Sequence, residues 1–367
     1  MAIDDEPKIG AVIELGSRLR NMTRRQFVKT LGVAGTGVAG LGSMIETAYG
    51  QEPEGVPIVY TYDIYDNPEQ VRIISEERYR RLKTFVSLPE EFMARNPLVN
   101  EVSIVQQSDD DEDLALVLYV DELTSTLSDA LPDSVQNVPI IYRERSGEIQ
   151  PNYCGYRHDR RSPQRGGLAI GPGKGGYGTL SFVAFDKGSN NEVLLTADHV
   201  MDGTSRMWQP DKNHSDARRV GNFISRSRKG NGQDITKYRV RSGINAAPRR
   251  TQRGDVPNVT GTWGFFGLAD RVNPRGASLK SYVSAANHCR FVDHCYEVTK
   301  YGSWVYYQAN FDDSPAGGGD SGGAYVDGNG KLVAIHQATF DPWHDPPFDV
   351  GGVGRPTLNA VGAKLYR

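Results

Sequence analysis

The C-terminal half of the chain consists of short runs of alternating apolar and polar residues, and this pattern limits the folds that it can adopt. The runs follow a glycine-rich stretch at 166–178 and are separated by Gly, Asn and Asp; clear examples are 179–185, 192–196, 234–240, 304–309 and 331–335. Many short strands with turn residues between them are typical of an all-β sandwich or barrel. We therefore predict an all-β domain over residues 162–367.

The charge of the 367-residue chain is nearly balanced overall, with 42 basic and 45 acidic residues, but it is unevenly distributed. Residues 51–159 hold 22 acidic and 9 basic residues, whereas 160–367 hold 27 basic and 18 acidic ones. No motif that reads nucleic acid accompanies the scattered arginines, so no nucleic-acid partner is predicted. The simpler interpretation is that the two oppositely charged halves attract each other.

The first 50 residues resemble a twin-arginine export signal. Arg24 and Arg25 precede Phe27, and a short apolar run rich in Gly, Ala and Val follows at 30–44. This run is shorter than the ~20 apolar residues of a membrane span. We predict a secreted protein that uses the twin-arginine export machinery, is cut after Gly50 and has no permanent membrane span.

A glycine-flanked serine is the most informative local motif of the chain. In Gly319-Asp320-Ser321-Gly322-Gly323, the small neighbours let backbone N–H groups point toward a reacting carbonyl, so the amides of Gly319 and Ser321 could form an oxyanion hole. A glycine-rich hairpin loop with a spare serine is the alternative. The motif also fits the elbow of α/β-hydrolases, but only 46 residues follow Ser321, too few for the rest of that fold.

A histidine at the end of an apolar strand provides the matching base. The segment 194–200, Leu-Leu-Thr-Ala-Asp-His-Val, resembles the T-A-x-H segment of chymotrypsin-like serine proteases, and the resemblance runs from about 176 to 338. It implies two antiparallel β-barrels of the six-stranded type, with His199 in the first as general base and Ser321 in the second as nucleophile. Protein or peptide substrates and no cofactor are expected. A catalytically silent, protease-like peptide-binding protein is the alternative.

The acid that orients the base is predicted to be Asp234. It opens the run Asp-Ile-Thr at 234–236, which resembles the D-I-A strand start of the same family, and it lies 35 residues after His199 and 87 before Ser321. The alternatives are Asp211, Asp216 and Asp255.

Two further residues near the nucleophile receive roles from the resemblance. Asp320 is expected to be buried and paired with a side-chain cation, as in bacterial relatives, because the chain has no Ile-Val-Gly-Gly start. The Ala334-Ile335-His336 segment is similar to the G-I-H of glutamyl endopeptidases, which implies that His336 binds an acidic substrate side chain. A packed strand histidine is the alternative reading of His336.

The three cysteines are too few for a disulfide-rich miniature fold. Because export favours disulfides, we predict one between Cys289 and Cys295 and no metal site. The alternative is a zinc site that adds His288 and His294. Cys154 has no predicted role.

Residues 51–161 are predicted to form a small α+β pro-segment. Strand-like runs occur at 115–120 and 138–142, and the segment holds no cluster of nucleophile, base or metal ligands. Because β-barrels fold slowly, an acidic segment ahead of a basic protease domain could assist its folding and block its site. The cut is expected near Glu148 or at Arg160 and Arg161, and a permanent binding domain is the alternative.

Overall fold

The computed structural model describes the greater part of the chain after residue 54. The described residues are 55–86, 99–106, 114–120, 132–144, 149–150, 160–173, 176–210, 215–227, 233–251, 258–269, 277–280, 288–298, 304–312, 319–340 and 348–367. For 99–106, 149–150, 277–280, 288–298 and 304–312 only the backbone is described. The predicted export signal and Cys154 lie outside these residues. No helix among them is long and apolar enough to cross a membrane.

The N-terminal acidic segment is a mixed α and β structure, as predicted. It contains β1 (Val56–Asp63), β2 (Pro68–Ile74), α1 (Glu76–Val86), β3 (Val99–Gln106), β4 (Leu114–Val120), β5 (Ser134–Val135), β6 (Val138–Glu144) and β7 (Ile149–Gln150). Ser75 caps the start of helix α1, because its hydroxyl accepts a hydrogen bond from the Arg78 amide at 3.1 Å. Glu77 then pairs with Arg80 and Arg81 on the next turn.

The first half of the all-β domain is a six-stranded antiparallel sheet. The chain forms β8 (Gln164–Gly166), β9 (Ala169–Ile170), β10 (Gly178–Thr179), β11 (Phe182–Asp186), β12 (Glu192–Thr196), α2 (Asp198–Met201), β13 (Arg206–Gln209), β14 (Arg218–Ser227), β15 (Ile235–Val240) and β16 (Ala246–Thr251). The sheet order is β13-β14-β15-β12-β11, and a C-terminal strand, β24 (Ala363–Lys364), pairs with β11. An isolated bridge joins Gly171 to Trp208 on β13.

The second half closes into a barrel. Its elements are β17 (Gly261–Trp263), α3 (Phe265–Ala269), β18 (Ala277–Lys280), β19 (His288–Val298), β20 (Trp304–Asp312), β21 (Ala324–Val326), β22 (Lys331–Phe340), β23 (Phe348–Val353) and α4 (Gly354–Ala360). Antiparallel pairing runs from β22 through β21, β18, β19, β20 and β23 back to β22. These six strands therefore form a closed ring, and the predicted all-β architecture of this half is confirmed.

An apolar core lies between the two halves of the β domain. Phe182 and Leu195 of the first sheet are completely buried in one cluster with Leu332 and Ile335 of the second barrel. A separate cluster around Leu194 and Tyr238 fills the interior of the first half. The shared cluster fixes β12, which leads to His199, against β22, which contains His336.

The acidic segment is joined to the second barrel through both backbone and side chains. Strand β1 pairs with β17, β3 with β19 and β7 with β22, so one sheet of 14 strands runs through both. Their side chains form a common core in which Tyr60, Leu82 and Phe85 pack with Trp263 and Phe265. Burying aromatic side chains of this size accounts for much of the stability of a core, so the two segments stabilise each other.

Candidate active site

His199 and Asp234 lie together because of the register of two paired strands. Strand β12 ends at Thr196, which lies opposite Thr236 of β15, so the residues that flank these ends meet at one edge of the sheet. Asp234 Oδ1 accepts a hydrogen bond from the His199 backbone amide at 3.0 Å, and Oδ2 lies 2.5 Å from His199 Nδ1. Both side chains are nearly buried.

The contact with Asp234 sets the tautomer of His199. A carboxylate only accepts hydrogen bonds, so Nδ1 carries the proton and Nε2 is left as the basic nitrogen. Nε2 is buried and has no hydrogen-bond partner among the described residues. Asp216, one of the alternative acids, is exposed in a turn, and Asp211 and Asp255 lie outside the described residues.

The glycine-flanked serine forms a tight turn pressed against the strand that leads to His199. Gly319 and Gly322 both have a φ of 93°, which disfavours other residues at these positions. A Cβ added to Gly322 would lie 2.2 Å from Thr196 Oγ1 and 2.3 Å from the Thr179 carbonyl oxygen. The turn is fixed by hydrogen bonds from the Thr179 amide to the Ser321 carbonyl oxygen and from the Thr179 hydroxyl to the Gly319 carbonyl oxygen, at 2.8 and 2.7 Å.

The Ser321 hydroxyl contacts Gln337, a residue that also contacts Asp234. Ser321 is completely buried, and its Oγ donates to the carbonyl oxygen of Gln337 at 3.4 Å. The side-chain amide of Gln337 in turn lies 3.5 Å from the carbonyl oxygen of Asp234. The structure therefore brings Ser321, His199 and Asp234 to one site, although it makes no hydrogen bond between Ser321 Oγ and His199 Nε2.

The predicted oxyanion donors are the backbone amides of Gly319 and Ser321. Both residues are buried in the turn, and no described residue accepts a hydrogen bond from either amide. Their neighbour Asp320 is completely buried, as expected for a paired carboxylate. The cation expected to pair with Asp320 stays a prediction.

His336 lies directly beneath the serine turn and is completely buried. Its backbone amide donates to the Gly323 carbonyl oxygen, and its own carbonyl oxygen accepts from the Gly322 amide, both at 2.7 Å. Burial, with a smaller effect from the charge of His199, lowers the pKa of His336 to about 3. The ring is therefore neutral at ordinary pH, and Nδ1 lies 2.9 Å from the Tyr325 hydroxyl.

Gln337, Tyr325 and Asp349 belong to this site but were not found from the sequence. Gln337 contacts Ser321 through its backbone, which no motif encodes. Tyr325 and Asp349 lie on strands that flank β22, and only the pairing of β21 and β23 with that strand brings them to His336.

The geometry of the cysteine strand is unfavourable to the predicted disulfide. Cys289 and Cys295 both lie in β19, where they pair with Ala277 and Gln308 on neighbouring strands. Six residues of extended strand span about 20 Å, whereas disulfide-bonded Cα atoms lie within about 7 Å. Their side chains, and those of His288 and His294, lie outside the described residues, and no cluster of metal-binding side chains occurs among those that are described.

Comparisons with known proteins show a distant likeness to serine proteases. No protein-family model and no curated protein matches the chain significantly. A solved glutamic acid specific serine protease that uses a histidine triad in substrate binding is 19% identical, with a TM-score of 0.44 over 55% of this chain and 100% of that one. Nocardiopsis protease is 17% identical, with a TM-score of 0.41 over 55% and 98% of the two chains. An alpha-lytic protease homolog, N4, is 17% identical, with a TM-score of 0.43 over 55% and 98%.

Proposed function

We propose that this chain is an exported serine endopeptidase with Ser321 as nucleophile, His199 as general base and Asp234 as the residue that orients the base. The observation that carries the proposal is the double contact of Asp234 with His199. It leaves Nε2 as the basic nitrogen at the site where Ser321 lies on its glycine turn. A base held by a carboxylate beside a glycine-flanked hydroxyl is an arrangement for acyl transfer.

The reaction follows from these positions. Ser321 Oγ turns from the Gln337 carbonyl oxygen toward His199 Nε2, which takes its proton as Oγ attacks the peptide carbonyl carbon. The carbonyl oxygen becomes an oxyanion that the Gly319 and Ser321 amides bind. His199 then gives the proton to the leaving amine, and water hydrolyses the acyl-enzyme by the same steps in reverse. In unliganded enzymes such a serine–histidine bond is often long and forms only with substrate.

Labelling with a peptidyl phosphonate tests the proposal. An activated Ser321 forms a covalent adduct whose position mass spectrometry identifies. Ser321→Ala removes the adduct, whereas Ser189→Ala, which changes an exposed serine in the turn after β11, keeps it. A folded wild-type protein that gains no adduct at Ser321 contradicts the proposal.

The second candidate, a catalytically silent peptide-binding protein, is favoured by one observation. Ser321 Oγ donates to the Gln337 carbonyl oxygen and not to His199. If this bond persisted with substrate, the hydroxyl would not be activated. Such a protein would bind peptides at the site without forming the phosphonate adduct.

The preferred substrate is proposed to carry an acidic residue before the scissile bond. The support is the position of His336 beneath the serine turn and the net positive charge of residues 160–367. Cleavage-site profiling with a peptide library tests this preference: Glu, with less Gln and Asp, is expected before the cut. A preference for Arg, Phe or Leu contradicts it.

The acidic segment is proposed to act as a pro-segment that covers the site in the precursor. Its support is β7, in which Gln150 pairs antiparallel with Thr339 of β22, two residues beyond Gln337. An extended peptide commonly binds by adding a strand to a free sheet edge, so the chain's own Ile149 and Gln150 occupy an edge suited to substrate. The precursor is expected to be cut between Glu148 and Arg161, and most of this range lies outside the described residues.

Processing of the full chain tests this role. Wild-type protein is expected to yield a fragment whose new N-terminus lies between 149 and 162, whereas Ser321→Ala stays uncut. Efficient processing of Ser321→Ala in a purified preparation contradicts self-cleavage.

Exchange of Arg24 and Arg25 for Lys tests the export route. Loss of secretion is the expected result.

A further inference from the structure

Three buried polar side chains meet at one glycine beside Asp234. Gln233 immediately precedes Asp234, Gln337 lies on β22 and Thr357 on helix α4, and none of the three is more than 5% exposed. A Cβ added to Gly352 of β23 would lie 2.7 Å from Gln233 Oε1, from Gln337 Nε2 and from Thr357 Oγ1. The bare backbone of Gly352 therefore leaves the room in which these side chains meet.

One hydrogen bond of this cluster joins the residue before Asp234 to helix α4. The Thr357 hydroxyl donates to Gln233 Oε1 at 2.7 Å, and both side chains are buried. A buried amide oxygen is costly unless a donor satisfies it. The bond therefore holds the Gln233 side chain against the helix.

Helix α4 is itself packed on the core between the two halves of the β domain. Leu358, the neighbour of Thr357, is buried in the shared cluster together with Leu195 of β12. Strand β12 is the strand that leads to His199. Thr357 and His199 are therefore carried by elements that pack on one core, and the helix is a fixed point from which Gln233 can be held.

Asp234 has to be positioned from both sides along the chain. Strand β15 begins at Ile235, which lies opposite Ser227 of β14, so strand pairing positions the C-terminal side. Gln233 precedes the strand, and its side chain provides a second fixed point. The Asp234 carboxylate reaches both the amide and Nδ1 of His199, at 3.0 and 2.5 Å, so a backbone shift of about 1 Å would break one of these contacts.

We propose that Gln233 and Thr357 are positioning residues for Asp234: their hydrogen bond holds the chain before Asp234 so that both carboxylate oxygens reach His199. In this role neither residue touches the substrate or a reacting atom. The inference rests on the proposed function, because it concerns the acid that orients the base in the reaction described there.

Two measurements on the full chain test this role. The first is the far-downfield proton NMR resonance of His199 Nδ1–H, which arises because a short hydrogen bond to a carboxylate deshields the proton. The second is the rate at which a peptidyl phosphonate labels Ser321. A change that only loosened the packing of helix α4 would lower stability without moving the His199 resonance of the folded protein.

Thr357→Val removes the hydroxyl with little change in volume. We expect the His199 resonance to shift upfield and labelling of Ser321 to slow by about tenfold, the effect of a buried acceptor left without its donor. Thr357→Ser keeps the hydroxyl and should restore both measurements. Gln233→Met removes the acceptor, should give the same loss as Thr357→Val, and replaces that variant if it fails to fold.

A double variant and a matched control make the result specific. Thr357→Val combined with Gln233→Met should lose no more than either single variant, because the same bond is lost in all three proteins. Thr84→Val is the control: the buried Thr84 also donates to a glutamine oxygen, Gln136 Oε1 at 3.2 Å, but both residues belong to the acidic segment. Thr84→Val should leave both measurements unchanged.

The inference is overturned if folded Thr357→Val and Gln233→Met keep the wild-type resonance and labelling rate. It is also overturned if Thr84→Val loses as much as they do, if Thr357→Ser fails to restore the wild-type values, or if the losses add in the double variant. Failure of the proposed function is read separately, because the resonance does not require Ser321 to react. A wild type that shows the resonance but gains no adduct overturns only the catalytic role.

Discussion

Asp234 contacts His199 at two points, since one carboxylate oxygen accepts from the backbone amide and the other lies 2.5 Å from Nδ1. Two contacts fix both the position and the tautomer of the imidazole. This arrangement is possible because Asp234 immediately precedes β15 and His199 follows β12, strands that pair in register at Thr196 and Thr236.

Asp234→Asn is expected to reduce turnover with little loss of fold. The amide would keep the shape but stabilise the wrong tautomer of His199, and the loss in kcat should be on the order of 10⁴-fold. Turnover of a peptide substrate and phosphonate labelling measure this. Asp216→Asn, at an exposed turn, is the matched control and should retain normal kinetics. Near-normal turnover in Asp234→Asn together with loss in Asp216→Asn would make Asp216 the acid.

Gly322→Ala is expected to disrupt the nucleophile turn. Alanine has no comfortable conformation at a φ of 93°, and its Cβ would collide with Thr196 Oγ1 and the Thr179 carbonyl oxygen. We expect loss of Ser321 labelling and a lower unfolding midpoint. Gly328→Ala is the control, because a Cβ there meets no atom within 4 Å and its φ is not positive. Equal labelling rates in the two variants would show that the turn does not determine the reactivity of Ser321.

The sequence was most informative where function depends on neighbours along the chain. The nucleophile turn and the end of the His199 strand are local motifs, and the alternation of short runs led to the all-β domain. The ring of six strands formed by β18 to β23 then followed the expected architecture.

Long-range pairing set the features that the sequence did not predict. Tyr325 and Asp349 reach His336 only through the register of three strands, so no motif could reveal them. The sequence predicts Cys289 and Cys295 as the ends of a closed loop because five residues separate them, whereas the structure extends those residues along β19. The common core of the acidic segment and the second barrel was missed because apolar residues do not indicate which partner they will contact.

Phe85→Ala in the acidic segment is expected to destabilise the second barrel as well. The Phe85 ring is completely buried and stacks on Phe265, with the ring centres 5.8 Å apart. Removing it leaves a cavity that should cost about 3–5 kcal/mol in the free energy of unfolding. Tyr65→Ala, at a ring that is 58% exposed, should cost less than about 1 kcal/mol. Denaturation of Phe85→Ala should be monitored by tryptophan fluorescence and by labelling of Ser321. Both measurements should give the same unfolding midpoint, and it should be lower than that of the wild type.

Expression of residues 162–367 alone should give poorly folded protein for the same reason. Without the acidic segment, Trp263, Phe265 and Leu268 lose the apolar partners that cover them. Co-expression of residues 51–161 as a separate chain should restore labelling of Ser321. Efficient unaided folding of the shorter chain contradicts a folding role for the segment.

The ion pair between Lys237 and Asp186 is expected to make stability depend on pH in the acid range. Burial alone would raise the pKa of Asp186, but hydrogen bonds from Lys237 and Ser189 outweigh it and lower the pKa to about 2, from an ordinary value of 3.8. The pair therefore stabilises the fold fully above pH ~4 and loses its effect as the pH falls through ~2.

Asp186→Asn separates this pair from other acid effects. Among the described residues, the variant leaves the buried Lys237 ammonium with the Gly362 carbonyl oxygen alone, so near neutral pH it should lower the unfolding free energy by about 3 kcal/mol. Urea unfolding between pH 5 and pH 2 measures the free energy of unfolding of both proteins. The difference between the variant and the wild type should shrink as the wild-type carboxyl takes up its proton, over the range between its ordinary pKa of 3.8 and its folded pKa of about 2. Glu77→Gln, at an exposed pair, should change stability by under ~1 kcal/mol. A difference that stays constant to pH 2 would show that Asp186 does not carry this charge in the folded protein.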